Sequence, residues 1–317
     1  MIVVILGSWL QLAACGGSAF TTSTEGPGTG ASGAAGKPEP TAGALASAGT
    51  SGRAGTAGSN AEAGAAGAVG EAGSSSAGAE SVGYREVILA DRPLAYWRMG
   101  EIEDQSIPDE TGGGNALVLQ GGGHVPHSPG AVLDDPMGAL GFDGEKSFAI
   151  ANEARAFDFP DSAPFTLECW AQWVEGGPSY FQYLISNVQG IAGNRDGYSL
   201  YLLPAPALLD NAATAFEYDR PGADVGTRGP IPAVGAWAHY ATVFDGKKIA
   251  LFVDGTLANS ANVTGSIGAR TSSFAVGRHS DSDGFFFKGA IDEVAVYGRA
   301  LRVADIARHI SVGKYGP

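Results

Sequence analysis

The sequence is poor in cysteine, in cationic residues and in long apolar runs. Its 317 residues include two cysteines, Cys15 and Cys169, which are too few for a disulfide-stapled scaffold. Lys and Arg number 19 against 33 Asp and Glu, which gives a net charge of −14 and no basic stripe to neutralise phosphates. We therefore expect no nucleic-acid partner. The apolar run at residues 2–12 is shorter than the roughly 20 residues that a membrane-spanning helix needs.

Aromatic residues are almost absent from the first quarter of the chain. All ten tyrosines lie beyond Gly83, and residues 16–83 consist mainly of Gly, Ala, Ser and Thr, with no Tyr or Trp. This stretch cannot bury enough apolar area to offset its conformational entropy, so we predict a disordered linker. As a flexible coil it would span roughly 45 Å.

The residues before the linker form an export signal. The run at residues 2–12 ends in Leu-Ala-Ala-Cys at Cys15, which resembles a bacterial lipobox. The resemblance implies cleavage before Cys15 and attachment of several acyl chains, which anchor stably together. Gly16 is not the aspartate that retains many lipoproteins at the inner membrane, which favours the outer membrane or cell surface of a Gram-negative bacterium. An ordinary signal peptide with an incidental cysteine is the alternative. No cationic residue precedes the run, so we expect the true start to lie upstream.

Residues 84–317 have the pattern of one all-β domain. Apolar residues alternate with others along Phe165–Trp173, as expected for a strand. Trp237–Phe244 and Ile249–Val253 flank an Asp-Gly turn, which is typical of a hairpin. Many short strands separated by turns indicate a two-sheet antiparallel sandwich. We predict further strands near Ala95–Met99, Phe148–Ala151, Tyr183–Asn187, Tyr198–Leu203, Ala213–Tyr218, Phe274–Gly277 and Ala290–Tyr297, and a single short C-terminal helix at Val303–Ile310.

Six segments in order give this domain a family resemblance. Together they resemble bacterial LamG-like jelly-roll domains of the concanavalin A-like lectin/glucanase superfamily, over essentially all of residues 84–313. The resemblance implies a jelly-roll sandwich. The segments are Pro93–Glu101, Asp109–Gly112, Phe142–Gly144, Phe165–Trp170, the hairpin Gly235–Ala241 with Leu251–Gly255, and Phe287–Tyr297 with Arg299–Leu301.

The sequence offers no recognisable catalytic set, so we predict that the domain is not an enzyme. Glycosidases of this superfamily carry Glu-x-Asp-x-x-Glu on one strand face. The nearest candidate here is the adjacent pair Asp292 and Glu293, whose side chains are expected on opposite faces of a strand. We interpret His239 as a packed structural histidine and Cys169 as a small core residue.

A structural calcium ion is implied by the resemblance, because family members often hold one between the first strand and the closing segment. The matching residues are Glu101, Asp109 and Asp292, with backbone carbonyls near residues 112–115 as further oxygen ligands. The alternative is that Asp109 caps a turn while Asp292 makes ordinary hydrogen bonds across the sheet.

The ligand-binding candidates lie on a polar, glycine-rich loop at residues 190–197. Arg195 and Asp196 on this loop, with Arg278, are placed to form a rim of the kind that holds sugars. The simpler interpretation of Arg195 and Asp196 is a solvated surface ion pair. Trp170 and Trp173 are assigned to packing.

The function expected from these features is display of a recognition domain. We expect a surface-anchored lipoprotein with a non-catalytic carbohydrate-binding or adhesion domain, monomeric and attached to the membrane through its lipid alone. Its partner would be a glycan or a cell-surface protein. The alternatives are a structural envelope module without a small ligand and, third, a glycan-active hydrolase.

Overall fold

The computed structural model describes residues 82–316 apart from short gaps. The gaps are at residues 152–154, 160–161, 178, 191–194, 205–212, 220–224 and 266–271. The predicted leader with Cys15 and the predicted linker up to residue 81 lie outside the described residues, and so does part of the 190–197 loop.

The described chain forms two helices and sixteen strands. A single helix was predicted, and that prediction is wrong, because a helix also opens the domain. The elements are α1 (Tyr84–Ala90), β1 (Ala95–Trp97), β2 (Ser106–Ile107), β3 (Leu117–Gln120), β4 (Val125–His127), β5 (Ala139–Asp143), β6 (Phe148–Ala151), β7 (Phe165–Trp173), β8 (Gln182–Gln189), β9 (Asp196–Leu203), β10 (Ala213–Asp219), β11 (Val225–Pro230), β12 (Trp237–Phe244), β13 (Lys248–Val253), β14 (Thr256–Asn262), β15 (Ala275–Val276), β16 (Lys288–Tyr297) and α2 (Val303–Tyr315).

The strands make two antiparallel sheets, as predicted. The first sheet has the order β14-β13-β12-β7-β16-β5-β4, with β1 added beside the second half of β16. The second sheet has the order β11-β10-β9-β8-β15-β6-β3-β2. The predicted hairpin is present as β12 and β13, which pair from Tyr240 opposite Val253 to Phe244 opposite Ile249.

The core lies between the two sheets, and the alternation of each strand decides which residues enter it. From β7 the core receives Phe165, Leu167, Cys169, Ala171 and Trp173, all of them buried. Opposite them, β9 contributes alternate residues in the same way, Tyr198, Leu200 and Leu202. The prediction that Cys169 is a buried core residue is confirmed, and its thiol is free.

The outer face of the first sheet is covered by α1 and α2. Tyr84 and Ile88 of α1 and Ile306 and Ile310 of α2 pack with Trp170 in a second apolar cluster. A polar link crosses this layer, because the His309 side chain contacts Asp91 at 2.9 Å and Glu168 at 3.0 Å. Both helices thus pack against the first sheet. Within the described part of the chain, neither helix has the length and apolar character needed to cross a bilayer.

Candidate functional site

A cluster of aromatic rings lies on the outer face of the second sheet. We call it the aromatic patch; it consists of Phe181, Tyr183, Tyr201, His279 and Phe285. Tyr183 on β8 and Tyr201 on β9 are direct cross-strand partners, and their ring centroids are 5.0 Å apart. His279 stands against Tyr183 at 4.9 Å, and Phe181 contacts both Tyr201 at 5.6 Å and Phe285 at 5.8 Å. The alternation of β9 directs Tyr201 away from the core, and its cross-strand partner Tyr183 lies on the same face.

The loop at residues 278–285 is attached to the end of β8 by hydrogen bonds. The Ser280 hydroxyl accepts the Val188 N–H and donates to the Val188 carbonyl, each at 2.7 Å. The Asp281 carboxylate accepts the Gly190 N–H at 2.8 Å. The loop therefore presents its side chains in a fixed arrangement, which lowers the entropy cost of binding.

Phe285 is the exposed member of the aromatic patch. Its side chain is 38 % exposed, whereas Tyr183 and Tyr201 are almost completely buried. Its φ of 61° lies in the left-handed region, which is rare for a bulky residue. The Phe285 carbonyl accepts the Tyr183 N–H at 3.4 Å, so the strained position is tied to the sheet. Strain of this kind is concentrated at binding sites.

A row of polar side chains lies beside the aromatic patch. We call it the polar row; it consists of Arg195, Ser199, Glu217 and Asp219. Arg195 contacts both Glu217 and Asp219 at 3.0 Å, and the Tyr201 hydroxyl donates to Glu217 at 2.6 Å. Ser199 lies opposite Glu217 in the register of β9 and β10. Its hydroxyl is fully buried and has no hydrogen-bond partner in the structure.

Burial and two nearby arginines keep His279 neutral. Burial and the charges of Arg195 and Arg278, against the opposing effect of Asp281, together lower the pKa of His279 to about 4. Arg278 lies 3.7 Å above the Phe148 ring and 3.4 Å from Asp283. The structure thus brings the predicted residues Arg195 and Arg278 to one face.

Arg195 forms ion pairs with residues of the neighbouring strand. It reaches across to Glu217 and the fully buried Asp219, and its predicted pair with the neighbour Asp196 stays a prediction. The reason is strand pairing: Asp219 lies opposite Gly197 and Glu217 lies opposite Ser199, so both face the start of β9. Whether Arg195, Asp196 and Arg278 bind a ligand stays a prediction.

The sequence argument about Asp292 and Glu293 rested on a premise that is wrong. A bulge interrupts β16 after Asp292, and Glu293 has a φ of 51°, so the two side chains do not alternate regularly. Asp292 accepts the Ala131 N–H at 2.8 Å, and Glu293 accepts a short hydrogen bond from the Tyr96 hydroxyl. Burial raises the pKa of both carboxyls, and for Glu293 the Asp292 charge adds to the rise. Both are almost completely buried, so they do not form an accessible acid pair.

The three predicted calcium ligands have different local roles. Asp109 caps a turn: its carboxylate accepts the N–H groups of Tyr96, Thr111 and Asn115 at 3.0–3.2 Å. Glu101 pairs with Arg98 at 3.3 Å. In the described chain, no three side chains of His, Cys, Asp or Glu are grouped to hold a metal.

One predicted calcium ligand nevertheless has a free oxygen. Asp292 Oδ1 is buried and has no hydrogen-bond partner in the structure, while Asp292 Oδ2 is used by Ala131. Asp292 thus fits a cation that takes its other ligands from the backbone, whereas Asp109 does not fit, because its oxygens already accept N–H donors.

A depression of about 320 Å³ lies on the first sheet, at β4, β5, β7 and the start of β16. Its polar groups already have partners. Asp143 Oδ1 accepts backbone N–H groups at 2.8–3.0 Å, and Gln172 and Lys288 donate to the backbone carbonyls of Gly235 and Gly176. The depression is lined by Gly123, Val125, His127, Gly141, Phe142, Asp143, Gln172, Val174, Lys288 and Gly289. We place the candidate site on the second sheet instead.

Several residues of this site were not singled out from the sequence. Tyr183 and Tyr201 were placed on predicted strands, but the face to which they point was not considered. The period of two in Tyr198–Leu203 carries that signal, because Ser199 and Tyr201 alternate with core residues. No sequence pattern pointed to Phe285 as a binding residue, because it follows a polar turn.

Comparison with solved structures shows the same fold in binding domains of toxins. The binding domain of Paraclostridial Mosquitocidal Protein 1 is 15 % identical over 70 % of this chain and 52 % of that chain, with a TM-score of 0.51. The binding domain of botulinum neurotoxin DC in complex with SialylT is 12 % identical over 71 % of this chain and 52 % of that chain, with a TM-score of 0.50. The same binding domain in complex with rat synaptotagmin II is 11 % identical over 72 % of this chain and 53 % of that chain, with a TM-score of 0.51. The chain therefore spans about half the length of these relatives, and the likeness shows the fold alone.

The comparison with curated proteins finds no match. The Laminin_G_3 family model, described as concanavalin A-like lectin/glucanases superfamily, matches residues 143–307, just over half of the chain. This range runs from the end of β5 to the middle of α2 and includes both sheets. The chain belongs to the concanavalin A-like lectin/glucanases superfamily.

Proposed function

We propose that this protein is a surface-anchored lipoprotein whose domain binds glycans without catalysis. The observation that carries the proposal is the exposed Phe285 ring, which a tied-down loop holds over the aromatic patch beside the polar row. Aromatic faces pack against the C–H faces of sugars, and carboxylates and guanidinium groups bind their hydroxyls. The outer face of the second sheet supplies both kinds of contact.

One further observation supports binding over catalysis. Three of the solved structures with this fold are binding domains, one in complex with SialylT and one with rat synaptotagmin II. Glycan binding is favoured over protein binding because the site joins ring faces to charged hydrogen-bonding groups.

The test is glycan binding by the wild-type domain and by Phe285→Ala. We expect the variant to lose about two- to tenfold in affinity, since aromatic stacking contributes about 0.5–1.5 kcal/mol. Leu257→Ala is the matched control, because Leu257 is an exposed apolar residue on the edge strand β14 of the other sheet. Binding would be followed on a glycan array and by calorimetry. An array without any bound glycan, or equal losses in both variants, would refute the proposed site.

The lipid anchor is a separate part of the proposal. It is supported by the Leu-Ala-Ala-Cys segment ending at Cys15. In a Gram-negative host, the full chain should incorporate labelled palmitate and sediment with outer membranes, and Cys15→Ala should abolish both. Release of an unlabelled wild-type protein into the soluble fraction would contradict the anchor.

We also propose that Asp292 is the side-chain ligand of a structural calcium ion. The free Asp292 Oδ1 supports this, and the bound ion would neutralise a buried carboxylate and tie β16 to the loop around Ala131. Calcium should raise the melting temperature of the wild type and leave that of Asp292→Asn unchanged, because an ion that binds only the folded state stabilises it. If calcium and chelator leave the wild-type melting temperature the same, this proposal fails.

A further inference from the structure

We infer that the second-sheet face selects neutral glycans and rejects acidic ones. The inference rests on the glycan-binding function proposed above and names the ligand class of the same site. It is drawn from the charges and hydrogen-bonding groups of the polar row and its surroundings, not from the fold.

The site carries more negative than positive charge. Among the described residues, three cationic side chains lie on this face, Arg195, Arg278 and Arg228, the last of them opposite Ala215 in register. Four anionic side chains lie on the same face or on the loop beside it, Glu217, Asp219, Asp281 and Asp283. The His279 ring, near Arg195 and Arg278, stays neutral near pH 7, because its pKa is about 4. The whole chain has a net charge of −14, so no wider positive field compensates.

Arg195 and Arg278 are already paired with carboxylates. Arg195 contacts Glu217 and Asp219 at the same distance of 3.0 Å, so its charge is more than balanced within the polar row. Arg278 is stacked on the Phe148 ring and paired with Asp283. A sulfate or carboxylate on a ligand would therefore have to displace these partners and would be repelled by them.

The same groups are well suited to hydroxyls. The carboxylate of Glu217 is partly accessible and can accept hydrogen bonds from sugar hydroxyls in addition to the one from Tyr201. Beside Glu217, the aromatic patch offers Phe285 for the apolar face of a sugar ring.

The experiment compares matched neutral and acidic sugars on the full-length protein. The probes are galactotriose against trigalacturonic acid, and lactose against 3′-sialyllactose, each at low and at high salt. We expect the neutral member to bind at least about tenfold more tightly at low salt, with a smaller difference at high salt because repulsion is screened.

Charge removal provides the second arm. Glu217→Gln keeps a group that can accept the Tyr201 hydrogen bond but removes one negative charge, and it should narrow the preference for the neutral sugar severalfold. Asp134→Asn is the control, because it removes one negative charge from an exposed side chain far from this face. Asp134 follows Ala131 in the loop that contacts the first sheet, and an asparagine tolerates its positive φ of 59°. This control should leave the preference unchanged.

The outcomes separate the two proposals. Equal or tighter binding of the acidic sugars would overturn this inference and leave the glycan-binding function standing. A preference that Glu217→Gln and Asp134→Asn alter equally would also overturn it. If no neutral or acidic glycan binds, the proposed function itself fails, and the inference fails with it.

Discussion

Glu168 is a charged residue that has no access to solvent. It lies on the outward side of β7, where α2 covers it, and it accepts the Tyr297 hydroxyl at 2.5 Å and contacts His309 at 3.0 Å and His239 at 3.4 Å. Burial by itself would raise the pKa of Glu168, but the charge of His309 and the hydrogen bonds hold the pKa well below its usual range. The period of two predicted that the Glu168 side chain points away from the core, but the sequence did not indicate that a helix would cover Glu168.

Removing this charge should cost much of the stability of the domain. Glu168→Gln keeps the shape but leaves His239 without its anionic partner and His309 with Asp91 alone, so we expect a loss of about 3–5 kcal/mol in the free energy of unfolding. Glu145→Gln removes an exposed carboxylate and should change stability by no more than about 0.5 kcal/mol. Urea denaturation measures both. Similar midpoints for the two variants would show that the buried charge is dispensable.

At the scale of elements, the strands were easier to predict than the helices and the bulge. The predicted strands Phe148–Ala151 and Tyr198–Leu203 are confirmed within β6 and β9. The helix α1 was missed, because it has seven residues and no side-chain hydrogen bond at its N-cap Gly83. The bulge in β16 was also missed, since Asp292–Val294 reads as an ordinary strand and only the packed neighbours Tyr96 and Ala131 show where its carboxylates go.

The helix α1 should be an integral part of the fold. Ile88 is 1 % exposed and packs in the apolar cluster on the first sheet, so Ile88→Ala should lower the free energy of unfolding by about 2–4 kcal/mol. Glu86→Ala on the exposed side of the same helix should have an effect below about 0.5 kcal/mol. Chemical denaturation distinguishes them, and equal effects would mean that α1 is only loosely attached.

For the whole molecule, two buried histidines shape the dependence of stability on pH. The folded-state pKa of His279 is lowered to about 4 from 6.5, so the unfolded state binds more protons between these values and stability falls as pH drops through that window. Burial alone would lower the pKa of His309, but Glu168 and Asp91 raise it above 6.5. That contribution is complete below pH 6.5 and is lost as pH rises through the folded-state pKa.

Because the pKa values of the two histidines shift in opposite directions, we predict a maximum in the free energy of unfolding as pH varies. Substitution of either histidine should reduce the slope on one side of this maximum. Between pH 6.5 and 4, His279→Gln should reduce the slope of the unfolding free energy by up to about 1.4 kcal/mol per pH unit. His309→Gln should instead reduce the decline on the alkaline side, to which the raised pKa values of Asp292 and Glu293 also contribute. Thermal and urea unfolding across pH would measure both slopes, and an unchanged acid slope in His279→Gln would show that another group controls it.

The sequence by itself determined that the domain is a two-sheet antiparallel sandwich and which residues of β7 enter the core. These follow from local patterns: the period of two in Phe165–Trp173 and the Asp-Gly turn before β13. Tertiary structure alone decided the site. Arg195 meets Glu217, and Tyr183 meets His279, only because strand order and loop path bring together residues that are distant in the chain.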